Sequence, residues 1–127
     1  MPAFKPKILI VDDEQESRSA LARILKAKGF DVLEAKTGKE VLSRAKAEWP
    51  SLIVLDVVLP DISGTKVFEQ LKADPVTKAI PILLLTAKPD AAQEIAAVRD
   101  KTSTRHFEKP GRMEDLLNTI QQMITGK

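Results

Sequence analysis

The chain has 127 residues, a length that fits one domain and leaves little room for a second. With 20 basic and 18 acidic residues, its net charge of +2 offers no case for nucleic acid or an anionic membrane as a partner. Cysteine is absent and histidine occurs once, which excludes disulfides, thiolate catalysis, cysteine-ligated zinc and multi-histidine metal sites. No apolar run approaches the ~18 residues of a membrane-spanning helix, and the N-terminus lacks a signal-peptide pattern, so we expect a cytoplasmic protein.

The first half of the chain alternates short aliphatic runs with helical patterns. The pair Asp13 and Glu16 is typical of a helix start, and Gly29 is placed to end that helix. A T-x-x-E capping box at Thr37 and Glu40 predicts the start of a second helix. The patterns predict strands at 7–11, 31–35 and 51–56, with helices at 14–28 and 37–48 between them.

The second half continues this alternation. The run IPILLLT predicts a fourth strand, and a weaker fifth strand precedes the last helical pattern. One predicted helix has a thin apolar face of one isoleucine, one valine and alanines, which suits a segment that shifts at little energetic cost. The predicted elements are strands at 80–86 and 104–108, helices at 64–73 and 90–100, and a last helix whose apolar face holds Leu116, Leu117, Ile120, Met123 and Ile124.

Five strands that are each followed by a helix predict a (βα)5 domain. Continuous aliphatic strands are typical of a parallel sheet with helices on both faces. Because crossovers between parallel strands are right-handed, we expect a doubly wound α/β sheet. The flavodoxin-like strand order 2-1-3-4-5 is the leading candidate, with residues 1–127 forming one domain.

Polar residues stand at the ends of four predicted strands. Asp12 and Asp13 end the first strand, Asp56 the third and Thr86 the fourth, and Lys109 follows the fifth. Ligands of doubly wound sheets bind beyond the carboxyl ends of the strands, where these residues meet. Close carboxylates repel one another unless a cation lies among them, and oxygen ligands favour Mg²⁺. A lysine and a hydroxyl beside them favour a phosphoryl group.

Each of these residues also has a purely structural interpretation. An acidic pair after a strand is often a helix cap, and a single acid or threonine at a strand end is often a turn residue. A lysine before a proline is usually a solvated side chain. The joint placement at four strand ends favours a binding site over these separate explanations.

Four motifs occur in order over essentially the full length of the chain. They are VDDE at 11–14, a D-x-x-x-P-x-x-x-G pattern at 56–64, LLLTA at 83–87 and HFEKP at 106–110. Together they resemble the motifs of response regulator receiver domains in two-component signalling. The resemblance implies that Asp56 is a phosphoacceptor, which takes a phosphoryl group from a phosphohistidine of a partner.

The resemblance also implies a metal site for Mg²⁺. Asp13 would be the main carboxylate ligand, with Asp12 assisting directly or through water. The backbone carbonyl of Val58 would be the third protein ligand, beside the Asp56 carboxylate.

The remaining implied roles concern the phosphoryl group and the response to it. Thr86 would hydrogen-bond the phosphoryl group, and Lys109 would bind another of its oxygens. On phosphorylation Thr86 would move toward the phosphate, and His106, at a position that is aromatic in the family, would turn inward. The surface of the 90–100 helix, the fifth strand and the last helix would then change and select a partner.

The sequence departs from the family pattern at three places. Leu59 stands where methionine is usual, a swap that conserves volume. Gly111 replaces a usual phenylalanine, and the segment 99–105 lacks the usual Gly-Ala before the last strand. None of these touches the expected phosphate ligands.

The implied partners are a histidine kinase or a histidine phosphotransfer protein, and a downstream effector protein. We expect no direct contact with nucleic acid or membrane, a monomer or weak dimer, and no catalysis beyond the chain's own phosphorylation and dephosphorylation.

Two alternative functions stay open. A phosphatase-like hydrolase with an aspartyl nucleophile usually has a second acid two residues later, where Val58 stands. An unphosphorylated docking domain would not need the polar set at the strand ends.

Overall fold

The computed structural model describes residues 6–12, 14–56, 61–86, 104–108 and 113–125. Four of the five predicted helices lie among them, and the helix predicted at 90–100 lies outside. The strands are β1 (Lys7–Val11), β2 (Asp31–Ala35), β3 (Leu52–Asp56), β4 (Ile82–Thr86) and β5 (Thr104–Glu108). The helices are α1 (Gln15–Ala27), α2 (Gly38–Glu48), α3 (Gly64–Ala73) and α4 (Met113–Thr125).

The strands form one parallel sheet in the order β2-β1-β3-β4-β5. The central strand β3 is buried along its whole length, as its aliphatic sequence predicts. The edge strand β2 is buried only at its last residue, Ala35, which explains why its sequence carries charges. The prediction of an α/β fold with a parallel sheet is confirmed.

Helices cover both faces of the sheet because strand residues alternate between the two sides. On one side Leu9 and Val11 pack with residues of α2 and α3, including Val41 and Phe68. On the other side the apolar faces of α1 and α4 pack on the strands. The buried residues of this second core are Ile8, Ile10, Leu21, Ala22, Leu25, Leu52, Val54, Leu83, Leu85, Leu116 and Ile120.

The caps of α1 and α2 agree only in part with the helix boundaries that the sequence predicts. Gly29 has a φ of 97°, which glycine adopts readily, and it follows the end of α1 as predicted. Thr37 caps α2, since its hydroxyl accepts a hydrogen bond from the Glu40 amide at 3.3 Å. The N-cap of α1 is Glu14, without a side-chain cap bond. The predicted start at Asp13 falls on a residue outside the described ranges.

Within the described ranges, none of the helices has both the length and the apolar character needed to cross a membrane.

Candidate functional site

Asp12 and Asp56 lie at the same level of the sheet on neighbouring strands. Val11 of β1 is opposite Leu55 of β3, and each acid is the next residue along its chain. Since paired strands are about 4.8 Å apart, the two acids lie side by side. Asp12 is 5% exposed and Asp56 is 9% exposed. The structure therefore brings two buried acids together at the carboxyl edge of the sheet.

Asp12 is held by hydrogen bonds at its amide, its carbonyl and its carboxylate. Its amide donates to the carbonyl of Ala35 on β2 at 3.2 Å. Its Oδ1 accepts from the amide of Glu14 at 2.9 Å, and its carbonyl oxygen accepts from Nη1 of Arg18 at 2.7 Å. These three hydrogen bonds hold Asp12 at the end of β1.

Two further predicted residues lie on the strands beyond Asp56. Asp56 pairs with Leu85 of β4, so Thr86, the next residue, ends the adjacent strand at nearly the same level. His106 pairs with Leu84 from the edge strand β5. The backbone therefore places both residues on strands that follow β3 in the sheet, as the prediction requires.

Three predicted site residues, Asp13, Val58 and Lys109, lie outside the described ranges. Within those ranges, no group of three or more histidine, cysteine, aspartate or glutamate residues is arranged to hold a metal ion. Asp12 and Asp56 supply two carboxylates, and the predicted third, Asp13, is among the residues that the structure does not describe. The predicted Mg²⁺ ligand set stays a prediction.

Arg18 is not among the predicted site residues, yet its guanidinium contacts the carbonyl of Asp12. The signal is present in the spacing: Arg18 precedes Leu21, Ala22 and Leu25 by three, four and seven residues, so it shares the buried face of α1. A charged residue on an apolar helical face requires a buried partner. The partners of Arg18 are the Asp12 carbonyl and the carboxylate of Glu34 on β2.

Comparison with protein families gives one match over most of the chain. The model of the response regulator receiver domain matches residues 8–121.

Individual proteins agree with this match. The chain is 32% identical to Protein PilH of Pseudomonas aeruginosa over 94% of its own length and 98% of PilH. It is 43% identical to the alkaline phosphatase synthesis transcriptional regulatory protein PhoP of Bacillus subtilis over 70% of its length, but spans only 36% of PhoP. Among solved structures, the chemotaxis response regulator CheY4 of Vibrio cholerae aligns with a TM-score of 0.84 and 31% identity, over 94% of this chain and 99% of CheY4.

Proposed function

This chain belongs to the response regulator receiver domains of two-component signalling, and we propose that Asp56 is its phosphoacceptor. Response regulators are signalling modules that interact with histidine kinases and with effectors. We propose that residues 1–127 form one such module. In this proposal a histidine kinase or histidine phosphotransfer protein is the phosphodonor, and a downstream effector reads the result.

The placement of Asp56 beside Asp12 carries the proposal. A carboxylate at the end of a fully buried aliphatic strand is costly, and a second one at the same level adds repulsion. A site that binds a cation and presents one carboxylate as a nucleophile explains why both acids stand side by side at this edge of the sheet.

The chemistry of these donors fits Mg²⁺. Both described residues, Asp12 and Asp56, offer carboxylate oxygens, and Mg²⁺ prefers oxygen ligands, retains several waters and often shares a phosphate. Receiver domains generally use Mg²⁺ at an acidic pocket. We propose that Asp12, Asp13, Asp56 and the Val58 carbonyl would hold the ion. When bound, Mg²⁺ neutralises charge on the phosphoryl oxygens during transfer.

The proposed reaction is transfer between two side chains. An Asp56 carboxylate oxygen forms a bond to phosphorus while the phosphorus–nitrogen bond of the partner's phosphohistidine breaks. The electron pair of that bond stays on the imidazole nitrogen, which takes up a proton. In this scheme the Lys109 ammonium and the Thr86 hydroxyl bind other phosphoryl oxygens, and hydrolysis of the acyl phosphate later restores Asp56.

The proposed output is a change in the effector-binding surface when Asp56 is phosphorylated. Phosphorylated Asp56 would carry about −1.5 to −2 charges in place of the −1 of its carboxylate. Thr86 and His106 lie on the two strands beyond β3, so a shift at these positions reaches the edge formed by β5. We propose that this edge, with residues 90–100 and helix α4, binds the effector in a phosphorylation-dependent way.

Mass spectrometry of the intact protein tests the acceptor. Wild type incubated with acetyl phosphate and Mg²⁺ is expected to gain one phosphoryl group, and Asp56→Asn none, because the amide lacks a nucleophilic charge. Asp31→Asn, at an exposed position of β2, is the control and should be modified like wild type. Undiminished phosphorylation of an aspartate in Asp56→Asn would refute the assignment.

The same sample separates the two alternatives. A phosphatase-like hydrolase would release phosphate from small phosphoesters such as p-nitrophenyl phosphate at many turnovers per chain. A docking domain would stay unmodified with every donor. Stoichiometric labelling without such turnover supports the receiver.

A further inference from the structure

Arg18 is a buried cation in the core face of α1. The residue is 5% exposed, and burial of a guanidinium is costly unless its donors are satisfied. Nη1 donates to the Asp12 carbonyl at 2.7 Å, and Nε donates to Oε1 of Glu34 at 3.0 Å. The guanidinium of Arg18 thus contacts the end of β1 through Nη1 and the strand β2 through Nε.

The carbonyl that Arg18 holds belongs to the peptide between Asp12 and Asp13. Hydrogen bonding of this oxygen restrains Asp12 at the end of β1. The backbone amide of Arg18 donates to the Glu14 carbonyl at 3.0 Å, which is the first hydrogen bond of α1. Arg18 therefore contacts both Asp12 and Glu14.

Glu34 orients the guanidinium from the other side. The Arg18 side chain is 6% exposed and that of Glu34 is 36% exposed, so the pair joins a buried cation to a partly solvated anion. Because the guanidinium is rigid and planar, fixing Nε against Glu34 fixes the direction of Nη1 toward Asp12. The ion pair connects α1 and the edge strand β2 to the end of β1.

We propose that Arg18 is a positioning residue for Mg²⁺ binding and phosphoryl transfer, held in its orientation by Glu34. This inference rests on the proposed function. Arg18 does not touch the reacting atoms. It restrains Asp12 through its carbonyl oxygen, so that less ordering of Asp12 is needed when the ion binds. Groups that orient metal ligands in this way typically change metal affinity or activity by 10–100-fold when removed.

A purely structural role for Arg18 makes a different prediction. If the arginine only joins α1 to β2, its removal lowers stability and leaves the metal affinity of the folded protein unchanged. Measurements of stability and of Mg²⁺ binding on the same variants therefore separate the two roles.

The central variant is Arg18→Met, which keeps a flexible unbranched apolar stem and removes every hydrogen-bond donor of the side chain. The matched control is Arg23→Met on the exposed side of the same helix. Arg18→Lys and Glu34→Gln remove parts of the arrangement, and Asp13→Ala gives the reference for loss of the main proposed ligand. The Mg²⁺ dissociation constant is measured by calorimetry without phosphodonor, and hydrogen exchange of the β1–α1 turn amides is measured without metal.

Arg18→Met is expected to raise the Mg²⁺ dissociation constant by roughly 10-fold or more and to speed exchange in the turn. Glu34→Gln and Arg18→Lys should shift both quantities in the same direction by less, and Arg23→Met should match wild type. With acetyl phosphate, the half-saturating Mg²⁺ concentration should rise more than the rate at saturating Mg²⁺ falls.

An Arg18→Met protein that is less stable but has the wild-type Mg²⁺ affinity and turn exchange would overturn the inference. If Arg18→Met does not fold, wild-type values in both Arg18→Lys and Glu34→Gln would overturn it equally. Wild type that takes up neither Mg²⁺ nor a phosphoryl group would refute the proposed function together with the inference. If wild type binds Mg²⁺ and takes up a phosphoryl group, and the variants have the same Mg²⁺ affinity and turn exchange, the inference alone is refuted.

Discussion

At the scale of single residues, the carboxylate of Asp61 caps the N-terminus of α2, although Asp61 lies outside that helix. Its Oδ1 accepts from the Gly38 amide at 2.9 Å, and its Oδ2 accepts from the Lys39 amide at 3.3 Å. These are the first amides of α2, which have no partner within the helix. The bond from Gly38, and to a lesser degree that from Lys39, lowers the pKa of Asp61.

The lowered pKa of Asp61 predicts a stability effect that depends on pH. Because the folded pKa lies below the unfolded value of about 3.9, the contribution is fully present above that value and is lost as pH falls through the folded pKa. Asp61→Asn should therefore melt below wild type at neutral pH, and this difference should shrink below about pH 4. Thermal unfolding from pH 7 to pH 2.5 measures it. Asp31→Asn, at an exposed strand position, is the control. A difference in melting temperature between Asp61→Asn and wild type that stays constant with pH would contradict the explanation.

At the scale of elements, Gly38 sets how closely α2 approaches the chain that follows β3. A Cβ built on Gly38 would overlap Cγ2 of Ile62 and lie 2.8 Å from Cγ2 of the buried Val67. The helix start can thus lie against the first turn of α3 only because this position has no side chain.

We expect Gly38→Ala to destabilise the protein, although alanine is normally the better residue inside a helix. Overpacking against Ile62 and Val67 should lower the free energy of unfolding by about 1–3 kcal/mol. Lys39→Ala, one residue later and exposed, is the control for helix propensity. Urea unfolding of the three proteins measures the change, and a Gly38→Ala protein as stable as Lys39→Ala would show that the contact relaxes at no cost.

At the scale of the whole molecule, the sheet separates the proposed chemistry from the proposed output. The acids lie at the ends of β1 and β3, near the middle of the sheet, and β5 forms one edge. His106 lies on β5, pairs with Leu84 of the neighbouring β4, and is two strands from β3. It precedes Lys109, the proposed phosphoryl ligand that follows the same strand, by three residues. His106 therefore lies on the edge that is expected to change, and it is not among the proposed phosphoryl ligands.

We therefore predict that His106→Ala alters communication and leaves the chemistry intact. Its phosphorylation rate with a small donor should stay within a few-fold of wild type, about 1 kcal/mol of barrier. The change in partner affinity on phosphorylation should differ from wild type, because a ligand shifts an equilibrium only by its differential affinity for the two states. Partner binding with and without phosphate measures this. A collapsed rate with unchanged coupling would place His106 in the chemistry.

The sequence by itself determined the elements that the structure describes, and the positions of Asp12 and Asp56 at the ends of two strands. Strands at 7–11, 31–35 and 104–108 and the helix at 64–73 occur with their predicted bounds, and the strand predicted at 80–86 begins at Ile82. Helical and strand periodicities are local, and so is the Thr37 capping box, so these features could be predicted without knowledge of distant residues. Asp12 and Asp56 could be placed together because parallel strands all end at the same edge.

Only the tertiary structure decided which distant groups hold Asp12 and Arg18 and which carboxylate caps α2. Glu34 is 16 residues from Arg18, and Asp61 is 23 residues from Gly38, so no local pattern connects either pair. Arg18 occupies an apolar helical position because the carbonyl of Asp12 and the carboxylate of Glu34 reach it there. Asp61 caps α2 from another loop because Gly38 leaves room for that loop to approach. Such contacts form only when the chain is folded, and for that physical reason they could not be predicted from residue spacing.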